Sequence, residues 1–287
     1  MPHRLVCVTI LVFWAVAAVS LFTRDLLPDL IVGPPPDLRT IARAGETPGP
    51  TRWAILVDDG PGLGSSRSVG QVDTETRRRK DGSVQFTSQA WLDSGNLLKR
   101  TPFAQTAGGE RIEIRSVIEV NPMGNLQHFR SSLRPIGDVA ELLVLEGRLR
   151  NDAIEVHARG PLPALLWSRS FPYQARGVVN NTFGPLDRLP GLQVGQRWQS
   201  QVVNPLTNQV VTARVEVAGK EVLHWGQGPV TTLEVVTHVG PLTARTWVRP
   251  DGLVLKQEVP IPILKLVLER LPEADPGGVR RLEGLRP

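Results

Sequence analysis

Residues 111–120 read RIEIRSVIEV, and this stretch decides the fold because its side chains alternate between two chemical classes. Isoleucine or valine stands at positions 112, 114, 118 and 120, and a charged residue stands at positions 111, 113, 115 and 119. Successive side chains of a β-strand point to opposite faces. The stretch is therefore predicted to be a strand with one buried and one solvated face.

Two further stretches, Val84–Leu92 and Thr232–Val239, show the same alternation. Turn signals that contain glycine separate such runs, and glycine is favoured where a turn needs a positive φ. They are Lys80-Asp81-Gly82, Pro122-Met123-Gly124 and Pro250-Asp251-Gly252. We predict that each is the tip of a hairpin between antiparallel neighbours.

Runs of similar length fill much of the remaining chain. Candidate strands are 53–57, 69–77, 126–133, 153–158, 197–203, 210–218 and 242–249. The segment 139–149 is apolar on both faces, so it is either a buried strand or a helix that covers the sheet, and we favour the strand. The predicted fold class is mainly β, an antiparallel meander of about 10–11 strands that forms an open half-barrel or curved sheet.

The first residues form an apolar run from Leu5 to Phe22. At about 1.5 Å per residue this run spans roughly 27 Å as a helix, the lower end of what a bilayer core requires. A cleaved signal peptide is the alternative, with Ala15-Val16-Ala17 as the cleavage site. The residues after that site stay apolar, which favours an uncleaved transmembrane helix over residues 1–24. The expected topology is a membrane anchor with the following domain exported.

Composition divides the rest of the chain into three parts. Residues 25–50 contain Pro34-Pro35-Pro36 and read as a proline-rich stalk, in which a short helix can begin at Asp37 and end near Ala44. Residues 51–272 are predicted to be the β half-barrel domain. Residues 273–287 are predicted to be a flexible tail.

Few residues carry recognisable chemistry. The single cysteine, Cys7, lies inside the apolar run, so the domain has no thiol for a disulfide, a metal or a nucleophile. The five histidines lack metal-ligand spacing, and no G-x-S-x-G motif is present. No cofactor and no metal are expected, and no catalytic residue is assigned. Whether the chain is an enzyme stays open, although the pattern favours a non-enzyme.

The chain is basic, with a net charge of +5, and its densest cationic cluster is Arg77-Arg78-Arg79-Lys80. The cluster ends at a predicted hairpin, where charged side chains commonly keep a sheet soluble. An exported domain meets little nucleic acid, so no nucleic-acid partner is expected. Anionic headgroups or cell-wall polymers are the alternative partners of this cluster.

Two tryptophans project from strand faces that are otherwise polar. Trp91 lies among glutamines and threonine, and Trp247 lies among threonine and arginines that include Arg245. A loop or the stalk helix packed across that face would explain both residues. The alternative is that Trp91, Arg245 and Trp247 belong to a surface for a ligand or partner.

The segments Gly195-Gln196-Arg197-Trp198 and WVRPDGLVLK at 247–256, together with an N-terminal membrane segment and the meander, resemble the lipoprotein-localisation-factor (LolA/LolB-like) superfamily. The resemblance covers Arg52–Leu271, and it implies a bacterial membrane protein whose domain lies on the extracytoplasmic (periplasmic) side. It implies an incomplete barrel whose apolar concave face shelters lipid or acyl chains under short helices. This sequence differs in having few clear helices for such a lid.

These observations predict a membrane-anchored, exported, non-enzymatic β domain. It binds a lipid, a lipoprotein acyl chain or another apolar ligand, or it serves as an interaction module of the cell envelope. The apolar site is expected at Phe86, Ile114, Ile118, Val215 and Leu233. The alternative is an accessory domain, or a hydrolase that uses serine, histidine and carboxylate groups brought together in a polar cleft. The protein partner is not specified by the sequence.

Overall fold

The structure is a computed structural model of the chain. It describes residues 13–14, 16–17, 20, 36, 40–41, 49–58, 66–93, 95, 111–136, 141–161, 163, 166–172, 185–204, 209–226, 228–261 and 264–272. The predicted membrane segment and the predicted tail lie almost entirely outside these ranges. Within them, no helix is both long enough and apolar enough to cross a membrane.

The described residues form fourteen β-strands in one antiparallel sheet. The strands are β1 (Thr51–Asp58), β2 (Ser66–Arg78), β3 (Val84–Asp93), β4 (Arg111–Val120), β5 (Leu126–Pro135), β6 (Leu143–Arg150), β7 (Ala153–Arg159), β8 (Trp167–Pro172), β9 (Arg197–Asn204), β10 (Gln209–Trp225), β11 (Gly228–Val239), β12 (Leu242–Val248), β13 (Val254–Ile261) and β14 (Leu264–Arg270). The prediction of a mainly β, antiparallel fold is confirmed.

Two meanders build the sheet. Strands β1–β8 follow one another in space as in sequence, and so do β9–β14. The pairing of β1 with β14, in which Trp53 lies opposite Arg270, joins the two meanders. Strands β8 and β9 are the two edges, so the sheet is open. The chain thus passes from one edge of the sheet to the other between residues 172 and 197.

The predicted number of strands, about 10–11, was wrong. Segment 143–150 is a strand, as favoured, but β8, β13 and β14 were not expected. Strand β8 has only six residues and ends in a proline, and the region of β13 and β14 contains Pro260 and Pro262, which weaken a strand pattern. The three predicted hairpin tips are confirmed, because Gly82, Gly124 and Gly252 take φ values of 81°, 88° and 86° in the turns between paired strands.

The sheet has an inner face that carries the hydrophobic core and an outer face that is mostly polar. On the inner face, Trp53, Val72, Ala90 and Ile114 lie opposite one another across β1–β4. Their cluster continues through β10–β14 and is the main core. A second cluster, which includes Phe129 and Val156, covers β5–β8.

A segment without regular structure, residues 185–196, packs on this core and is called the strap below. Its Leu189 is buried in the main core. The Leu189 amide donates to the Gly252 carbonyl at 2.7 Å, and the Val254 amide donates to the Asp187 carbonyl at 3.1 Å. A Cβ on Gly252 would lie 2.8 Å from Cα of Pro190, so the strap needs glycine at this position.

The predicted stalk also reaches the core. Thr40 and Ile41 are helical, and Ile41 is only 2% exposed within the main core. Burial of an isoleucine at this level requires close contact with the β domain. This part of the segment therefore packs against the sheet.

Candidate functional site

All five residues predicted to bind an apolar ligand lie on the inner face. Phe86 of β3 is opposite Ile118 of β4, and Ile114 of β4 is opposite Ala90 of the main core. Val215 and Leu233 occupy the same face of β10 and β11. The register of the sheet therefore brings these residues to one surface.

Burial divides the five residues into two groups. Ile114, Val215 and Leu233 are each 7% exposed and belong to the main core. Phe86 and Ile118 are half-buried, and they pack against the main and the second cluster respectively. Of these five residues, the Phe86–Ile118 pair therefore keeps accessible apolar surface, and it lies where the two clusters meet. Ligand binding by the five residues stays a prediction.

A row of hydroxyl groups crosses the inner face beside this pair. Each member lies directly opposite the next on five successive strands, and the members are Thr51, Thr74, Ser88, Ser116 and Ser131. The Ser116 and Ser131 hydroxyls hydrogen bond at 2.7 Å. Alternation alone did not predict this row, because serine and threonine side chains are neither clearly apolar nor charged. The inner face therefore offers both apolar and hydroxyl groups.

The row ends in a buried polar network around Asp187 of the strap. The Trp53 indole donates to the Thr74 hydroxyl at 3.1 Å, and that hydroxyl donates to Oδ1 of Asp187 at 2.6 Å. The Arg270 guanidinium donates to the Asp187 carbonyl at 3.3 Å and to the Thr51 hydroxyl at 3.1 Å. Asp187 and Arg270 are 8% and 5% exposed. The network therefore ties the strap to β1, β2 and β14 through buried groups.

Burial raises the pKa of Asp187 above its ordinary value. The hydrogen bond from Thr74, the positive charge of Arg270 and the Trp53 indole oppose this shift but do not cancel it. The charge of Arg270, 3.9 Å from Oδ1 of Asp187, is itself almost excluded from water and lies 5.6 Å from the Trp53 ring centre. Loss of water therefore outweighs the hydrogen bonds and the neighbouring positive charge, and the protonated form of Asp187 is more favoured in the fold than in water.

This shift predicts how stability depends on pH. The folded state binds the Asp187 proton more tightly than the unfolded chain, whose pKa is near 3.8, so this stabilisation is complete below that value. It is lost as the pH rises through the raised folded pKa. Relative to the Asp187→Asn variant, we expect the free energy of unfolding of the natural chain to fall over that window and then level off. Denaturant titrations from about pH 4 to about pH 8 measure the difference. A difference that rises with pH would contradict the assignment.

Trp247 and Arg245 lie on the outer face of β12. The Trp247 side chain is 5% exposed, its indole donates to Oε2 of Glu221 at 2.6 Å, and the Lys256 ammonium lies 5.0 Å from its ring centre. Arg245 pairs with Glu234 at 3.5 Å. Side chains of neighbouring strands therefore cover Trp247, where a loop or the stalk helix had been expected. A partner surface formed with these residues stays a prediction.

Trp91 lies on the same outer face, on β3, where it is half-buried opposite Glu113 of β4. Glu113 is only 5% exposed and accepts hydrogen bonds from Gln89 and Arg134. The carboxylate is therefore paired on both oxygens. Four strands lie between β3 and β12 in the sheet order, so Trp91 and Trp247 do not form one aromatic patch.

The hydrolase alternative requires serine, histidine and carboxylate groups that act on one another. Ser168, His157 and Glu146 do lie in register on the outer face of β8, β7 and β6. However, Glu146 is bonded to His128 at 3.2 Å, and the side chains of His157 and Ser168 form no hydrogen bond in the part of the chain that the structure describes. His128 and two arginines hold the pKa of Glu146 below its usual value. The three groups are therefore aligned but not coupled as a triad.

Among the described residues, no group of three or more histidine, cysteine, aspartate or glutamate side chains could hold a metal ion.

Comparisons with known proteins give distant similarities of fold. No family model matches the chain, and no curated protein matches it. A crystal structure of a β-barrel-like protein of a domain of unknown function, DUF1849, from Brucella abortus is 9% identical, with a TM-score of 0.45, and the match covers 78% of this chain and 97% of that one. A DUF1089 family protein from Pseudomonas aeruginosa is 14% identical, with a TM-score of 0.37, over 71% and 96% of the two chains. Neither description names a lipoprotein-localisation factor, and similarity at this level supports no argument about function.

Proposed function

We propose that the chain is a non-enzymatic binding module of the bacterial cell envelope, held at the membrane by residues 1–24, with its β domain on the periplasmic side. In this proposal the open sheet serves as a half-barrel, and its inner face takes the acyl chain of a lipid or lipoprotein. The accessible contact is the pair Phe86 and Ile118.

The observation that carries the proposal is the half-buried Phe86–Ile118 pair at the junction of the two core clusters. A ligand that covers accessible apolar surface gains roughly 25 cal/mol of free energy for each Å² that it removes from water. The neighbouring Ser88 and Ser116 are buried, and Ser116 is bonded to Ser131, so the contact that this site offers to a ligand is apolar. Such a contact suits an acyl chain.

Binding is favoured over hydrolysis by the state of the polar groups. Catalysis by a serine triad needs a base that is hydrogen bonded to the nucleophile and oriented by the carboxylate. Ser168 and His157 are both exposed, and Glu146 is engaged by His128 instead. A binding module needs no such coupling.

Native mass spectrometry of the detergent-purified full-length chain, followed by lipid extraction, tests the proposal. We expect a co-purifying species that contains an acyl chain, and we expect its amount to fall several-fold in Phe86→Ala because the ring supplies accessible apolar surface. The exposed apolar residue Val222 provides the control, and Val222→Ala should retain the lipid. The same spectrum reports whether residues 1–24 are retained, since the uncleaved chain has a mass of 31.5 kDa.

Absence of lipid from several independent preparations, after mild detergent exchange, would count against the half-barrel carrier. Equal lipid retention by Phe86→Ala and the natural chain would place the ligand elsewhere. A mature mass that lacks residues 1–24 would exclude a permanent membrane anchor.

A further inference from the structure

We propose that a groove over β6–β8 binds the phosphate group of an amphiphile, with Arg148 as its main contact and Leu166 and Trp167 beside the apolar part. Most of its lining comes from the outer face, so the proposal does not depend on the inner-face site. The groove has a volume of about 620 Å³. A space of this size suits a small ligand or a lipid headgroup.

Cationic and apolar side chains line different parts of the groove. Arg148, Arg150 and Arg159 and the imidazole of His157 provide the polar lining, and Leu166, Ala158 and Trp167 provide the apolar lining. Leu166 is 59% exposed, which is high for a large apolar side chain next to a charged cluster. A ligand with a charged group and an apolar group would satisfy both parts.

The two acidic side chains of the groove are neutralised by neighbouring cations. Glu155 pairs with Arg150 at 3.5 Å. Glu146 pairs with Arg159 at 3.3 Å and also with His128 and Arg130. These pairs neutralise the negative charge of the lining. Arg148 takes part in none of them, although it lies opposite Glu155 in the register.

Two polar side chains at the groove lack partners in the part of the chain that the structure describes. The side chains of Arg148 and His157 are exposed on the outer face and form no ion pair or hydrogen bond there. A ligand oxygen would supply the acceptor that each of them lacks. The Trp167 indole nitrogen is buried and Trp167 lies opposite Ala158 of the second cluster, so Trp167 contributes apolar ring surface and no donor to the groove.

Phosphate matches this set of donors. It offers several acceptor oxygens and a negative charge, and a guanidinium group binds two of those oxygens at once. The neighbouring Leu166 and the Trp167 ring provide a surface for glycerol or acyl carbons, which inorganic phosphate lacks. The geometry therefore favours the phosphate of a lipid over a free phosphate ion.

Isothermal titration of the purified full-length chain tests this site with two probes, inorganic phosphate and dihexanoyl-phosphatidylglycerol below its micelle concentration. We expect the lipid to bind more tightly than phosphate. Arg148→Gln should weaken both on the order of tenfold, because one charge-assisted contact is lost. Leu166→Ser should weaken binding of the lipid and leave binding of phosphate unchanged.

Arg197→Gln is the matched control. Arg197 also lies on the outer face, is exposed, and pairs with Glu216 at 2.8 Å far from the groove in the sheet order. Its loss should change neither affinity, which separates the groove from a general effect of net charge. Equal affinities for the two probes would overturn the assignment of an amphiphile, and Arg148→Gln with unchanged affinity would overturn the site itself. Neither result would bear on lipid retention at Phe86.

Discussion

Replacing Arg270 with methionine is expected to lower the free energy of unfolding by about 3–5 kcal/mol. Methionine keeps most of the volume and flexibility of the side chain, so the change removes the charge and the donors while leaving little empty space. The Asp187 carbonyl and the Thr51 hydroxyl would lose their guanidinium donor. Asp187 itself would stay buried, without the nearby positive charge.

The expected loss is large because a buried charge without its partner is worse than no charge at all. A chain that also carries Asp187→Asn should recover part of the loss, since the amide oxygen can still accept from Thr74 while the buried carboxylate is gone. Denaturant unfolding of the natural chain, both single variants and the double variant gives the interaction energy between the two positions. A loss below about 1 kcal/mol, unchanged in the double variant, would show that the network contributes little to stability.

The contacts of Arg270 could not be predicted from the sequence. Its strand, β14, lies in an apolar run interrupted by prolines, so neither the strand nor its pairing with β1 could be read from alternation. Asp187 lies between Pro185 and Pro190 in a segment without periodicity. Their contact joins residues that are 83 positions apart, and only the β1–β14 pairing and the strap bring them together.

The environments of the two outer-face tryptophans could not be predicted either, for a different reason. Alternation correctly placed Trp91 and Trp247 opposite the apolar face, but their environments depend on which strands lie alongside. Glu221 and Lys256 reach Trp247 from β10 and β13. Because both partners are charged, alternation did not indicate that they would bury an aromatic ring. Pairing across strands, which carries much of the stabilisation of a sheet, is not visible in a single strand.

The inner face was predicted more fully, because period-two patterning identifies the residues that share one side of a sheet. Phe86, Ile114, Ile118, Val215 and Leu233 were all assigned to that side from alternation, and the register agrees. What alternation could not provide is the degree of burial. That depends on the neighbouring strands and on the strap, so residues of the same pattern divide into a closed core and an accessible pair.

Ile114 and Ile118 offer a matched test of this division. They lie on the same strand and face, four residues apart, and the same substitution to alanine removes the same atoms. Ile114→Ala is expected to lower the free energy of unfolding by about 2–5 kcal/mol, because it leaves a cavity in the main core. Ile118→Ala is expected to cost on the order of 1 kcal/mol, because its side chain is only partly buried.

The order of the two variants should be reversed when the amount of co-purifying lipid is measured. Ile118→Ala removes apolar surface from the proposed contact with the acyl chain and should lower the amount of lipid that co-purifies, while Ile114→Ala should retain it at temperatures where the variant stays folded. Denaturant unfolding and native mass spectrometry on the same preparations measure the two quantities together. If the two variants lose stability equally and lipid equally, the division into core and ligand contact would be wrong. A loss of lipid confined to Ile118→Ala would instead require that the acyl chain lies at the junction of the two clusters, because that junction is where the two isoleucines differ.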